Sequence, residues 1–272
     1  MNYIHCDTVQ MSEVTIKNLR KFHNWIKLQI ILEAKEQTSA TCLLDVAVGR
    51  GGDLIKWGKA KLKYVNGFDS DCKSIYEKIK FDGAIKRYTD MKNYNIPKCL
   101  FWNISATDAN VLDILNSKDN NRVYDIVSCQ FSFHYFVKDI DIVLNMISLK
   151  LRSGGLFIGT ASDGDLIKLS LQNEDTQSQI LSVKKDPNDE LMYFFEMNSE
   201  KSSRETYFEI RGASHEYFLY KNFLIEKCKI YNLKLVNTLN FREWYSIYNG
   251  DKLNQDEQMC SFLNFSFVFF KN

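Results

Sequence analysis

No apolar run in these 272 residues approaches the roughly 20 that a bilayer-crossing helix requires. The opening Met1-Asn2-Tyr3-Ile4-His5 lacks the basic and apolar regions of a secretory signal. Neither sign of charge is in excess. The 35 basic and 34 acidic side chains leave a net charge of +1, so any contact with nucleic acid has to come from a local patch. The seven cysteines, at 6, 42, 72, 99, 129, 228 and 260, include no CxxC pair, and several fall inside apolar runs. An odd number without close spacing argues against a disulfide framework or a metal site, and for reduced thiols in a cytosolic protein. No internal repeat or low-complexity segment is present.

What is present is apolar residue in quantity. At 45% hydrophobic, the chain has ample material for one large core, and the length fits one domain with an insertion better than two domains. The most informative segment is Leu43-Leu44-Asp45-Val46-Ala47-Val48-Gly49-Arg50-Gly51-Gly52-Asp53-Leu54-Ile55-Lys56-Trp57. An apolar strand runs into a glycine turn, and a helical pattern follows. Glycine has no Cβ, so a ligand can lie directly against such a turn. Asp69 ends the next apolar run, Tyr64-Val65-Asn66-Gly67-Phe68. That spacing suits a carboxylate that accepts hydrogen bonds from ribose hydroxyls. Strand, glycine turn, helix, strand and acid together describe a nucleoside-binding half of an α/β sheet.

Along the chain, hydrophobic spacing predicts a helix over about 13–36, then strands over 41–48, 63–68, 99–104, 123–129 and 156–160. Helical patterns fall between them at 52–60, 71–92 (one long polar helix or a pair), 108–116 and 140–151, the last ending at Ser153-Gly154-Gly155. This alternation argues for a parallel sheet with right-handed crossovers. Residues 176–220 change character. Runs such as Met192-Tyr193-Phe194-Phe195-Glu196 and Tyr207-Phe208-Glu209-Ile210 alternate as antiparallel strands do, with turns at 185–189 and 198–204. A helix near 222–231, a strand at 234–239 and a last strand at 262–270 follow.

This order resembles the class I S-adenosylmethionine-dependent methyltransferases, and within them the messenger-RNA cap guanine-N7 methyltransferases. The family's Asn-Trp-x-Lys is matched by Asn24-Trp25-Ile26-Lys27, and its Lys-Gly-Gly-Asp-Leu-x-Lys-Trp loop by Arg50-Gly51-Gly52-Asp53-Leu54-Ile55-Lys56-Trp57. Its Ser-x-Gln-Phe-x-x-His-Tyr segment is matched by Ser128-Cys129-Gln130-Phe131-Ser132-Phe133-His134-Tyr135. Phe157-Ile158-Gly159-Thr160 and Glu216-Tyr217-Phe218-Leu219-Tyr220 complete five matches in order over about residues 20 to 240. The departures are Ala47 for the first loop glycine, Arg50 for the loop lysine, a longer stretch between Asp69 and Arg87, and Asn264 where relatives carry a cap-closing tyrosine. Phe262 and Tyr248 are the aromatic candidates for that missing wall.

The resemblance implies a Rossmann-like α/β fold: a mostly parallel seven-stranded sheet with helices on both faces, plus an antiparallel β insertion near 176–220. It implies one methyltransferase domain over 1–272, divided into an N-terminal helical segment (1–40), a donor-binding core (41–160), an acceptor-side insertion (161–220) and a C-terminal part of the core (221–272). The implied reaction is methyl transfer from S-adenosylmethionine to N7 of the guanine cap of mRNA, with no metal. N7 carries an in-plane lone pair, so no general base is required, and catalysis rests on proximity, alignment and electrostatic fit. The family's other capping steps have no motif here, so the chain is expected to be the methyl-transfer module of a larger viral capping enzyme. It would work beside other capping domains or a stimulatory subunit, in the cytoplasm if viral and in the nucleus if cellular.

Residue by residue, the resemblance puts Gly49 and Gly51 against the donor, Lys27 on the methionine carboxylate, Asp45 on the amino end, Asp69 on the ribose, Asp108 on the adenine amino group and Gln130 at the end of strand four. On the acceptor side, Glu216 would accept from guanine N1–H and N2–H, a donor pair that adenine lacks. Phe131, His134 and Tyr135 would wall the base, Asn24 would join them, and Arg50 and Arg87 would meet the triphosphate. Each has a plainer reading: a helix cap for Asp108, a solvated helix face for Lys27 and Arg87, core packing for Phe131, a structural imidazole for His134 and a solvated strand carboxylate for Glu216. Two other functions compete: methyl transfer to a different small-molecule or RNA acceptor, and a non-catalytic stimulatory subunit that binds no donor. The acceptor-side residues argue against the first, and Gly49, Gly51 and Asp69 against the second.

Overall fold

The computed structural model describes residues 16–79, 82–91, 94–172, 176–178, 180–197 and 213–272. Five strands come first: β1 (Cys42–Val46), β2 (Tyr64–Asp69), β3 (Lys98–Asn103), β4 (Tyr124–Gln130) and β5 (Leu151–Ser162). Four more follow: β6 (Thr176–Gln177), β7 (Leu181–Lys185), β8 (Met192–Met197) and β9 (Ser214–Tyr217). β10 (Leu233–Asn240) and β11 (Asn264–Lys271) end the series. The large sheet has seven strands in the order β10-β11-β5-β4-β1-β2-β3. β1 to β5 pair in parallel, whereas β11 runs antiparallel to both β5 and β10. β1 sends its crossover to β2 on one side and abuts β4 on the other. Ligand crevices in such sheets form beyond the carboxyl ends of the strands at this switch point.

Helices cover both faces, which is why β1 is apolar apart from Asp45 and buried on both sides. α1 (Lys17–Thr38), α2 (Leu54–Lys59), α3 (Cys72–Tyr76), α4 (Ala84–Asp90), α5 (Val111–Asp119) and α6 (Ile140–Lys150) belong to the parallel half. α7 (Gly164–Ser170), α8 (Lys221–Ile230), α9 (Phe241–Ile247) and α10 (Gln255–Ser261) follow. α1 buries Phe22, Ile26, Ile30 and Ile31, a stripe at helical spacing that packs with Trp57 and Phe241 on one face of the sheet. Leu115, Leu144, Ile147 and Leu224 pack with Phe157 and Phe267 on the other. Each fully buried Phe or Leu stabilises the fold by about 1.5–3 kcal/mol.

The small sheet, ordered β6-β7-β8-β9, is antiparallel throughout and lies over a third apolar cluster built from Leu19, Ile167, Leu181, Tyr193, Phe195 and Phe218. The expected turn near 185–189 joins β7 to β8. The expected strand at 207–210 and turn at 198–204 lie outside the described residues.

Several boundaries differ from the sequence expectation. Of the two readings of 71–92, one long polar helix or a pair, the structure has the pair, α3 and α4. Gly83 precedes α4 so close to Ile75 that a Cβ there would stand 2.7 Å from its carbonyl oxygen. The helix expected from 108 begins at Val111. β5 starts at Leu151, because Ser153-Gly154-Gly155 sits within the strand. A register shift against β4 lies between Tyr124 and Ile126, and Gly154 has φ +75. α7, α9, α10 and a 3-10 segment at Phe133–Asp139 were not expected. For α9 and α10 the signal was present: Asn240 with Glu243, and Asn254 with Glu257, each close a capping box.

Candidate donor and acceptor site

The turn after β1 is held in an unusual backbone state. Ala47, Gly49 and Gly51 all have positive φ, at 58°, 53° and 69°. For Ala47 this costs about 1–2 kcal/mol, a strain that ordinary loops avoid and functional loops retain. The turn is tied down by its own amides: Val48 N–H donates to Phe68 O at 3.0 Å and Gly51 N–H to Val48 O at 3.1 Å. A Cβ built on Gly49 meets nothing within 4 Å, so open space faces the backbone there. The Gly49 N–H donates to Asp69 Oδ2 at 2.8 Å, and the other oxygen, Oδ1, accepts from Asp71 N–H at 2.8 Å. Asp69 therefore shapes the loop and keeps lone pairs for a ligand. Burial raises its pKa, against the opposing pull of those two N–H groups.

Asp45 and Lys27 converge on the same loop, but not as lone ligands. Asp45 is buried on β1 and its pKa is raised well above the ordinary value, first by burial and then by the Asp53 carboxylate. Lys27 lies 2.7 Å from Asp53 Oδ1, and Lys56 lies 2.8 Å from the same oxygen. Lys56 also donates to Asn24 Oδ1 at 2.7 Å. Burial alone would raise the Asp53 pKa, but the two ammonium groups overcome it and hold the carboxyl below its usual range. Lys27 is thus no solvated helix residue. It points inward as one arm of a Lys–Asp–Lys bridge that joins α1 to the glycine turn. Asn24, expected on the cap side, meets this bridge through Lys56. Gln130 accepts from Thr160 Oγ1 at 3.1 Å and donates to Ser128 Oγ at 3.2 Å. Asp108 is exposed and accepts from Asn110 N–H at 2.8 Å, a turn-forming bond just ahead of α5.

The second cluster centres on Glu216, on β9 and 3% exposed. Its Oε1 accepts from Ser214 Oγ at 2.6 Å and Tyr135 at 3.2 Å; its Oε2 accepts from Tyr193 at 2.7 Å and Ser162 Oγ at 3.4 Å. His134 Nε2 lies 3.5 Å from Oε2, and the His134 and Tyr135 rings are 4.3 Å apart. A solvated strand carboxylate is excluded by this burial. Burial drives the His134 pKa down, against the attraction of Glu216. It drives the Tyr135 and Tyr193 pKa values up, so both phenols stay protonated donors. Tyr193, Ser162 and Ser214 were missed by sequence reasoning. Tyr193 meets Glu216 only because the β8–β9 register sets them opposite each other.

Phe131 follows β4 with φ +56, a conformation that a bulky residue rarely adopts. Its N–H donates to Thr160 O at 2.8 Å, and its ring packs edge-on against Phe241 at 5.8 Å. Arg50 and Arg87 stand close enough to interact: burial and then the Arg50 charge lower the Arg87 pKa, with Arg20 adding to the effect. Asn264 is buried and donates to Cys260 O at 3.1 Å and Ser261 O at 3.0 Å, so its side chain is used at the end of α10. Tyr248 packs on Phe22 at 4.9 Å and Trp25 at 5.1 Å. Phe262 packs at a tilt against Tyr245 at 5.6 Å and lines an open groove of about 700 Å³ that no other candidate site residue lines. Among the described residues no group of three or more His, Cys, Asp or Glu is placed to hold a metal.

Over 166 residues the chain is 37% identical to an mRNA cap guanine-N(7) methyltransferase of Caenorhabditis elegans, covering 57% of this chain and 41% of that protein. Over 200 residues it is 30% identical to a probable mRNA-capping enzyme of Acanthamoeba polyphaga mimivirus, covering 66% of this chain and 16% of that one. The chain thus spans less than half the length of these relatives. A crystal structure of an S-adenosylmethionine-dependent methyltransferase from Clostridium acetobutylicum superposes with a TM-score of 0.60 at 15% identity, over 94% of this chain and 96% of that one, a likeness of fold. The family defined by the mRNA (guanine-N(7))-methyltransferase domain matches residues 4–261. With that match across nearly its whole length, the chain belongs to the mRNA (guanine-N(7))-methyltransferase domain family.

Proposed function

We propose that this chain methylates N7 of the guanine cap of mRNA, using S-adenosylmethionine as donor. The observation that carries the reading is Glu216, a buried carboxylate ringed by hydroxyls beside His134 and Tyr135. Only the edge of guanine offers the paired N1–H and N2–H donors that such a group would take. The two longer bonds to Glu216, from Tyr135 and Ser162, are the ones a base would displace. Ser214 and Tyr193 would then keep the carboxylate aimed.

The residues of the glycine turn fit the donor. Open space faces Gly49, and Asp69, fixed by two backbone amides, presents its remaining lone pairs to that side. Asp45 and the Lys27–Asp53–Lys56 bridge would take the charged methionine end, with Gly51, Asp108 and Gln130 around the adenosine. When bound, the donor supplies a methyl group activated by a sulfonium. The protein moves no proton. Phe131, His134 and Tyr135 hold the base in plane, and Glu216 stabilises the positive charge that develops on guanine. Arg50 and Arg87 would meet the triphosphate, whose charge would offset their mutual repulsion.

The chain would act as the methyl-transfer module beside other capping activities or a stimulatory subunit, at a cytoplasmic site if it is viral. The test is methyl transfer to GpppA, GpppA-RNA, GTP, ATP and small amines. Transfer confined to guanine caps supports the reading. Transfer to ATP or amines at equal rates, or no donor binding by calorimetry, would overturn it.

A further inference from the structure

His23 lies on α1, one residue before Asn24 and four before Lys27. It is 3% exposed. Its ring stacks on Phe131, with centroids 5.2 Å apart and planes 21° from parallel, and meets Phe241 edge-on at 5.0 Å. On its far side, Nε2 lies 2.9 Å from the hydroxyl of Ser261, the last residue of α10. Ser261 is fully buried, so that hydroxyl needs a partner. Phe131 in turn packs edge-on against Phe241. Three rings therefore close on one another around a residue whose backbone is strained.

Strain of this kind persists only where the surroundings over-determine it. A flat ring on one side and an edge on another fix χ1 and χ2 of Phe131 better than aliphatic packing would. A phenylalanine at 23 would give the stack but strand the Ser261 hydroxyl. An amide would satisfy the hydroxyl but give no stack. An uncharged imidazole does both. Burial and the Lys27 charge push the His23 pKa down to about 3, so the ring stays neutral and invites no counter-ion.

We propose that His23 is a positioning residue for the acceptor site. It fixes the Phe131 ring against which the cap guanine rests, and it ties that ring to the same turn of α1 that holds the donor loop through Asn24 and Lys27. This rests on the guanine reading of the Phe131 wall given above.

The test uses the whole chain, with GpppA as acceptor. His23→Leu should raise the KM for GpppA about fivefold or more, while donor affinity by calorimetry stays within about twofold. His23→Gln should behave alike, because it too lacks the ring. His23→Phe should restore most of the loss, since it keeps the stack. Phe131→Leu should raise the same KM, and the His23→Leu/Phe131→Leu double variant should be no worse than Phe131→Leu alone, the sign of two groups acting as one. A merely structural histidine would weaken donor and acceptor binding together, and its effect would add to that of Phe131→Leu. Either result, an unchanged KM, or failure of both ring-less variants to fold overturns the proposal. If the parent chain itself does not methylate GpppA, the cap reading fails instead, and the two failures are told apart.

Discussion

Tyr193 and Glu216 stand directly opposite each other on neighbouring antiparallel strands, and the phenol donates to the carboxylate at 2.7 Å. Neither has more than a trace of solvent contact. On the proposed reading, a carboxylate so held would be aimed before the guanine arrives, with little reorganisation left for the reaction.

Glu216→Gln keeps the shape and replaces an ionised acceptor with an amide. It should lower kcat/KM for capped RNA by roughly a hundredfold, about 3 kcal/mol, with donor affinity within about twofold. Tyr193→Phe removes one charge-assisted hydrogen bond, worth about 1.5–3 kcal/mol, and should lower kcat/KM in the same direction by less. Parent-like rates in the Gln variant would place the guanine elsewhere.

Asp69 is bonded to the loop it faces. Asp69→Ala should weaken S-adenosylmethionine binding by about 1–3 kcal/mol, the scale for losing hydrogen bonds to a charged group. Cap-dinucleotide affinity should change little. Calorimetry on a folded variant with undiminished donor affinity would refute the ribose assignment.

Asp53 pairs with two lysines that are themselves nearly buried. Asp53→Ala leaves both ammonium groups without their counter-charge, and breaking such a buried pair costs about 3–5 kcal/mol. Its folded pKa is depressed, so its contribution is present above the unfolded carboxyl pKa and is lost as pH falls through the lower folded value. Denaturant unfolding at pH 7 measures this; a loss under about 1 kcal/mol would mean that the bridge relaxes without consequence.

Two buried histidines set the acid side of the stability curve. The folded pKa of His23 is about 3, and that of His134 is also lowered. Below the ordinary imidazole value of about 6.5 the unfolded chain takes up protons that the native chain refuses. Stability should therefore fall as pH drops from about 6.5, by up to about 1.4 kcal/mol per pH unit for each histidine. Urea midpoints at pH 7, 6 and 5 should show a shallower slope in His23→Phe than in the parent. Equal slopes would mean that His23 is protonated in the native state.

Arg50 sits in the glycine turn, its charge felt by both Arg87 and Asp71. Arg50→Ala should raise the KM for capped RNA more than that for the donor. The defect should shrink at high salt, where phosphate contacts are screened. A defect of constant size from low to high salt would argue against phosphate contact.

The sequence disclosed the parallel half of the fold and the glycine turn because both are local. Strand, glycine turn and Asp69 lie within 30 residues, and each signals itself through hydrophobic period or backbone demand. The acceptor cluster was half legible. Glu216, His134 and Tyr135 stood in recognisable segments, but Tyr193, Ser162 and Ser214 join them through strand register and sheet packing, which no local spacing encodes. Lys27 reads from the sequence as a methionine-carboxylate partner or a solvated helix residue; its protein partner, Asp53, is 26 residues away and meets it only once α1 docks on the turn. Phe131 read as core or wall, and its left-handed backbone has no sequence signature in a phenylalanine.

β11 lies between β5 and β10, although residue 264 must return to residue 162 to take its place. Until it does, the parallel half of the sheet ends in β5 as a long, apolar, unpaired edge. Closing so distant a contact is slow, and an open edge invites pairing with another chain. The order of assembly thus has a vulnerable stage: a chain broken off before residue 264 would fail by association with its neighbours, well before any question of catalysis arose.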